Sequence, residues 1–161
     1  MEQFLLGLLT TYGYLGIFAA SLITSATIIL PMPFFIIIPA AVQVLDPLGV
    51  GIAAGLGAAI GEMTSYLIGI GGNRVAGLKK KKTFGRILEH AESWYERHGG
   101  FFATFIFAIL PLPFDVVGIL CGIMKYNIKK FFIATLLGKV LKYTFLAYAS
   151  FYGINYLMNF M

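Results

Sequence analysis

Leu30-Pro31-Met32-Pro33-Phe34 returns 80 residues later as Leu110-Pro111-Leu112-Pro113-Phe114, with four of the five positions identical. Each copy lies in apolar sequence, where two prolines remove two backbone donors and end a helix. In hydrocarbon, interrupted backbone is tolerated only where protein or a cavity surrounds it. Paired interruptions at corresponding places in two halves indicate a transporter-like site near the membrane midplane. We therefore predict two re-entrant breaks, at Pro31, Pro33, Pro111 and Pro113.

The composition is that of an integral membrane protein. Of the 161 residues, 59% are hydrophobic and 12% are charged, whereas soluble domains carry about 25% charged residues. The length allows one domain with four or five apolar segments of about 20 residues each. The net charge of +5 does not indicate a nucleic-acid partner, because the cations cluster between the apolar segments.

The lysines and arginines set the predicted topology. Ten of the twelve fall within residues 74–97 and 125–130, and the positive-inside rule places both groups on the cytoplasmic face. Because both ends of 100–124 are then cytoplasmic, this segment must enter the membrane and return. The same reasoning makes 25–45 a second re-entrant element, entered from outside. The alternative topology is five plain spans, with Lys125, Lys129 and Lys130 outside.

The predicted fold is an all-α polytopic membrane domain over residues 1–161, with inverted-repeat character and two opposed re-entrant elements. In chain order its parts are a span over 4–24, a re-entrant element over 25–45, a span over 48–72, a basic and amphipathic segment over 73–99, a re-entrant element over 100–124 and a span over 131–158. The N-terminus and 73–99 would be cytoplasmic and the C-terminus outside. Contact with the membrane surface is expected from Lys79, Lys80, Lys81, Lys82 and Trp94. The alternative is that these lysines only set the orientation.

Small residues recur every four positions on the 48–72 span. The members are Gly57, Gly61, Ser65 and Gly69. This spacing is typical of close helix contact in membranes. We predict that it packs helices and does not bind a ligand.

Charged residues also fall inside the apolar segments. Glu62 follows the small residue Gly61, Asp115 follows the second break, and Lys139 and Lys142 lie one turn apart on the last span. A charge at mid-membrane costs at least about 2.5–3.5 kcal/mol on insertion scales. Two interpretations remain open, a structural ion-pair network or a transport path. The path would be lined by Glu62, Asp115, Lys139, Lys142 and Tyr143.

No catalytic, metal or cofactor motif is recognisable. The sequence contains no H-E-x-x-H, G-x-S-x-G or P-loop pattern. His90 and His98 have no cysteine or carboxylate at metal-ligand spacing. We predict a protein that is not an enzyme and that has neither a metal nor a cofactor.

Several of these residues resemble the DedA/VTT superfamily, also called SNARE-associated Golgi proteins, over roughly residues 12–150. The first break, followed by Leu56–Glu62 and Tyr66–Gly69, is similar to the first half of the family. Phe114–Gly118 and Gly138–Tyr143 are similar to its YqaA-like branch. The resemblance implies two opposed re-entrant elements and, for several members, lipid movement between leaflets.

The chain departs from the family at positions that bear on phosphate binding. Phe34 and Phe35 stand where members usually have a Glu, and Ala108 and Phe114 stand where members have Arg. Lys139 and Lys142 would substitute as point charges, without the bidentate geometry of Arg.

The leading functional hypothesis is a lipid translocase or scramblase for phospholipids or polyprenyl-phosphate-type lipids. Its partners would be membrane lipids and their anionic headgroups, in the cytoplasmic membrane of a prokaryote. One alternative is an ion- or proton-coupled transporter of a small solute. Another is a non-catalytic membrane organiser that binds partners through Lys79–Arg97. Because 161 residues are few for a self-contained transporter, a homodimer is also open.

Overall fold

Every element in the computed structural model is an α-helix across the residues it describes, which are 13–27, 34–71, 93, 95, 97, 99–110 and 114–158. The helices are α1 (Tyr14–Ala26), α2 (Phe34–Ala41), α3 (Pro47–Gly61), α4 (Met63–Gly71), α5 (Gly100–Ile109), α6 (Phe114–Ile123) and α7 (Ile128–Met158). The prediction of an all-α architecture is confirmed for this part of the chain.

Two of the described stretches are long and apolar enough to cross a membrane. They are Pro47–Gly71, which α3 and α4 form together, and Ile128–Ile154 within α7. The helices α1, α5 and α6 are apolar but shorter. At 1.5 Å per residue, the ten residues of α5 or of α6 rise only about 15 Å, half of a hydrocarbon core about 30 Å thick.

Both long stretches begin with a side-chain cap. The carboxylate of Asp46 accepts a hydrogen bond from the backbone N–H of Gly49 at 3.1 Å, and Pro47 occupies the first turn. The side-chain oxygen of Asn127 accepts from the N–H groups of Lys129 and Lys130 at 3.0 and 3.1 Å. These caps satisfy donors that the first turn of a helix leaves unpaired.

The helix α3 lies between α1 and α7, and glycines allow both contacts. A Cβ atom on Gly55 would come within 2.5 Å of Val140 Cα on α7, and one on Gly61 would come within 2.6 Å of the Leu22 carbonyl oxygen on α1. Because these neighbours are backbone atoms or lie close to the backbone, they cannot move aside for a larger residue. The apolar core here joins α1, α2, α3 and α7, with Ile17, Ile38 and Val50 fully buried.

The two short helices that follow the proline motifs pack in an exchanged manner. The helix α2 contacts α7, where Ile37, Ile38 and Ala41 join Tyr143 and Ala147 in one apolar cluster. The helix α6 contacts α4. Each short helix therefore packs on the long stretch from the other half of the chain.

The outer face of α7 is apolar and exposed. Leu137, Leu141 and Phe145 follow one another at four-residue spacing and are 50%, 52% and 75% exposed. Large contiguous apolar surfaces are unusual on soluble monomers. Surrounding lipid would cover this stripe.

Candidate functional site: a buried charge cluster

Glu62 lies at the junction between α3 and α4. Its N–H donates to the Ala58 carbonyl at 2.9 Å, and its own carbonyl accepts from the hydroxyl of Ser65 at 2.7 Å. The residue keeps right-handed helical dihedral angles, with φ −65° and ψ −16°. The junction therefore continues the direction of the helix and places the Glu62 side chain inside the bundle, 5% exposed.

Lys139 on α7 is the cation that pairs with Glu62. Its Nζ atom donates to Glu62 Oε1 at 2.6 Å, and both side chains are 6% exposed. The Nζ atom also lies 4.8 Å from the centroid of the Phe114 ring on α6, in a cation–π position. An apolar environment makes either charge costly without its partner. The pair thus ties α7 to the junction between α3 and α4.

Asp115 brings a third helix to the cluster. It lies in the first turn of α6, and its carboxyl group is within hydrogen-bonding reach of Glu62. Glu62 Oε2 and Asp115 Oδ1 are both buried without a donor. The structure therefore brings together two acids and one lysine, all predicted from the sequence as path residues.

Lys142 is placed differently from Lys139. Its Nζ atom donates to the backbone carbonyl of Leu110 at 3.1 Å. Leu110 follows the last residue of α5, where the helix dipole is negative and a cation is favourable. Lys142 is half-buried, so it supports the end of α5 while part of its side chain stays accessible.

Tyr143, the fifth predicted path residue, is 8% exposed and belongs to the apolar cluster with Ile38 and Ala147.

The small-residue ridge contacts two different neighbouring helices. Gly57 and Gly61 contact α1, whereas Ser65 and Gly69 contact α6 through Gly118, Ile119 and Gly122. The ridge thus packs helices on both sides of Glu62.

Sequence reasoning missed two contributions to the site. One is the Phe114 ring over Lys139, and the other is the Leu110 carbonyl that Lys142 binds. Both residues belong to the repeated proline phrase, which was the available signal. A backbone carbonyl carries no residue-type signature, so its part in the site depends on the fold.

Tyrosines join α4 to the start of α7 and tie Tyr95 to α5 and α6. The Tyr66 hydroxyl donates to the Tyr126 carbonyl, and its ring stacks on Phe131 at 5.0 Å between centroids. The Tyr95 hydroxyl lies 3.1 Å from Thr104 Oγ1 and 3.1 Å from Cys121 Sγ. Burial raises the pKa of Tyr95 above its ordinary value, so it stays a neutral hydrogen-bonding group.

Several predicted residues lie outside the described ranges. They are the four prolines of the breaks (Pro31, Pro33, Pro111 and Pro113), the lysines Lys79, Lys80, Lys81 and Lys82, and Trp94. Within the described ranges, no group of three or more His, Cys, Asp or Glu residues is arranged to hold a metal ion.

Comparison with known proteins finds one domain family and two related membrane proteins. The VTT domain matches residues 30–152. Vacuole membrane protein KMS2 of Arabidopsis thaliana is 33% identical over 100 residues, covering 54% of this chain and 24% of that protein. Vacuole membrane protein KMS1 of the same plant is 32% identical over 103 residues, covering 54% of this chain and 25% of that protein. The chain thus spans about a quarter of these relatives, and no solved structure matches it significantly.

Proposed function

Because this chain belongs to the VTT domain family of membrane proteins, we propose that it moves lipids between the two leaflets of the bilayer. The observation that carries the proposal is the buried Glu62–Lys139 pair, with Asp115 beside it, inside an otherwise apolar helix bundle. Ionisable residues at membrane depth are costly and commonly mark a pathway for substrate or ions. The substrate class would be lipids with a phosphate-containing headgroup.

The helix lengths support a re-entrant arrangement for the second proline motif. The helices α5 and α6 have ten residues each and rise about 15 Å, so either one reaches only about halfway across the hydrocarbon core. We propose that α5 enters the membrane, that the chain turns at the motif, and that α6 returns to the same face. The Leu110 carbonyl would then lie near the midplane, where Lys142 binds it.

The exchanged packing supports an inverted repeat. The helix α2 packs on α7, and α6 packs on α4, so each post-proline helix contacts the long stretch of the opposite half. Equivalent contacts in both directions are expected when two halves of opposite orientation pack together. In this arrangement the two proline motifs would approach each other from opposite faces, near the charge cluster.

Within the proposed path, Lys142 is the group best suited to contact a phosphate. Lys139 is already paired with Glu62 at 2.6 Å, whereas Lys142 binds a neutral carbonyl and remains half-exposed. An ammonium group attracts phosphate as a point charge. The phosphate of a passing headgroup would replace the Leu110 carbonyl as the acceptor of the Lys142 hydrogen bond, while the lipid tails stayed in the bilayer. Tyr143 would line the inner wall.

The orientation proposed from the charges places the N-terminus and residues 73–99 in the cytoplasm of a prokaryotic cell. Lys129 and Lys130 are exposed at the start of α7, and the positive-inside rule favours the cytoplasmic face for them. A homodimer is a further proposal from the sequence, and it would need a surface other than the small-residue ridge, which α1 and α6 of the same chain occupy. Labelling of single cysteines at positions 129 and 158 with an impermeant reagent would test the orientation of α7.

The first experiment is lipid transfer in liposomes that contain the purified protein and a fluorescent phospholipid. We expect transfer by the native chain and a reduction of tenfold or more in Lys142→Met. Lys129→Met removes a cation from an exposed position in the first turn of the same helix, and this variant should transfer lipid at the native rate.

Other outcomes would overturn the proposal. Folded protein that transfers neither phospholipid nor a polyprenyl phosphate would contradict it. Gradient-driven uptake of a solute without lipid movement would favour a coupled transporter. An effect lost only on deletion of residues 79–97 would favour a membrane organiser.

A further inference from the structure

The carboxyl groups of Glu62 and Asp115 have more acceptor oxygens than the surrounding residues have donors. Glu62 Oε1 accepts from Lys139 Nζ at 2.6 Å. Glu62 Oε2 and Asp115 Oδ1 are buried and receive no hydrogen bond from any described residue. The two carboxyl groups nevertheless lie within hydrogen-bonding reach of each other.

The charges that face this site do not balance if both acids are ionised. Lys139 is one cation for two carboxylates, and Lys142 on the next turn of α7 directs its Nζ atom to the Leu110 carbonyl. Tyr143 on α7 is close to Glu62 but is neutral at ordinary pH. The helices α1, α2, α3 and α5 carry no Asp, Glu, Lys or Arg, and the hydroxyl of Tyr66 on α4 is bound to the Tyr126 carbonyl.

We propose that Glu62 and Asp115 share one proton and so form, with Lys139, a neutral proton-binding site where α4, α6 and α7 meet. Two ionised carboxylates contain no donor, so they repel at this distance. One proton converts the contact into an O–H···O hydrogen bond and brings the net charge of the three groups to zero. Paired carboxyl groups that cannot both ionise behave in this way.

Because Glu62 and Asp115 come from separate helices, binding or loss of the shared proton changes the interaction between those helices. Asp115 lies in the first turn of α6, directly after the second proline motif, whereas Glu62 lies at the α3–α4 junction. Loss of the shared proton leaves two like charges across the contact between α4 and α6. On the proposed function, from which this consequence follows, lipid transfer would depend on pH in the native chain and lose that dependence in Asp115→Asn.

The direct test is infrared spectroscopy of the full chain in a detergent that contains no ester or carboxyl group, near neutral pH, read at the C=O stretch of a protonated carboxylic acid. We expect one such band in the native protein. It should disappear in Asp115→Asn and also in Glu62→Gln, because the remaining acid then pairs with Lys139 alone. Asp46→Asn, at an exposed helix cap, should retain the band.

Two results would overturn the proposal. A band that survives in Glu62→Gln would show that Asp115 holds a proton by itself, and absence of the band in the native chain would show that both acids are ionised. If a variant does not fold, the native chain suffices, because its seven acidic side chains, two Asp and five Glu, can be labelled together. With ¹³C-carboxyl aspartate and glutamate, one acid of the Glu62–Asp115 pair should give a protonated or exchange-averaged signal near neutral pH, and fully ionised signals from every aspartate and glutamate contradict sharing.

This experiment contains no lipid-transfer step. A missing band therefore refutes the shared proton and leaves the transfer proposal standing. A shared proton in a protein that moves no lipid refutes the transfer proposal alone.

Discussion

Lys139 Nζ lies 2.6 Å from Glu62 Oε1, although the two residues are 77 positions apart in the sequence. The contact joins α7 to the junction of α3 and α4, and both side chains are almost fully buried. A buried pair of this kind adds little to stability compared with apolar residues of the same size, but the loss of one partner is strongly destabilising. The pair therefore fixes how the long helices are positioned.

Replacing Lys139 by Met should destabilise the protein by about 3 kcal/mol or more, because Glu62 would lose the donor of its buried carboxylate. Denaturant unfolding in one detergent would measure the change. The double variant Glu62→Gln/Lys139→Met should be more stable than Lys139→Met alone. Lys129→Met, at an exposed position on the same helix, should be nearly neutral. Equal stability of the two lysine variants would contradict the role given to the pair.

Gly122→Ala should weaken the contact between α4 and α6. A Cβ atom at Gly122 would lie 2.9 Å from Gly69 Cα and 3.0 Å from Ile70 N, and such overpacking typically costs about 1–3 kcal/mol. Gly153→Ala on α7 is the control, since nothing lies within 4 Å of its Cβ position. Helix propensity makes that change neutral or stabilising by up to about 1 kcal/mol.

Thermal unfolding of the two glycine variants under identical conditions would check this difference. A higher melting temperature for Gly122→Ala than for Gly153→Ala would mean that α4 and α6 do not approach as closely as described.

Tyr66→Phe should cost about 1 kcal/mol, because it removes the hydroxyl that donates to the Tyr126 carbonyl while keeping the ring stacked on Phe131. Tyr152→Phe is the matched control at a side chain that is 66% exposed. Denaturant midpoints of the two variants give the comparison. A change at position 66 no larger than that at position 152 would argue against the hydrogen bond.

Asn127→Ala should destabilise the start of α7 by about 1 kcal/mol, because its side-chain oxygen caps the N–H groups of Lys129 and Lys130. Asn127→Asp keeps the acceptor and adds a negative charge at the positive end of the helix dipole, so it should restore native stability or exceed it. Hydrogen exchange at residues 129 and 130 would locate the effect. Unchanged exchange in the alanine variant would rule the cap out.

The sequence was sufficient for the helical class, the membrane character and the identity of the charged residues. Apolar runs, a charge content of 12% and the repeated proline phrase are local properties that no tertiary contact alters. The family resemblance was confirmed by the VTT domain match over residues 30–152. The YqaA-like branch, the re-entrant paths and the lipid substrate stay predictions.

Only the tertiary structure decided how the charged residues pair. Lys139 and Lys142 lie three positions apart on the same side of α7, so helical spacing alone makes either a suitable partner for Glu62. In the structure α7 crosses the α3–α4 junction so that Lys139 pairs with Glu62, while Lys142 donates to the Leu110 carbonyl at the end of α5. The spacing of the small-residue ridge likewise shows that its members share a face, but it does not show which helices pack there. In the structure the first half of the ridge contacts α1 and the second half contacts α6. Spacing along one helix determines which residues share a face, but which neighbour meets that face depends on contacts between segments far apart in the chain.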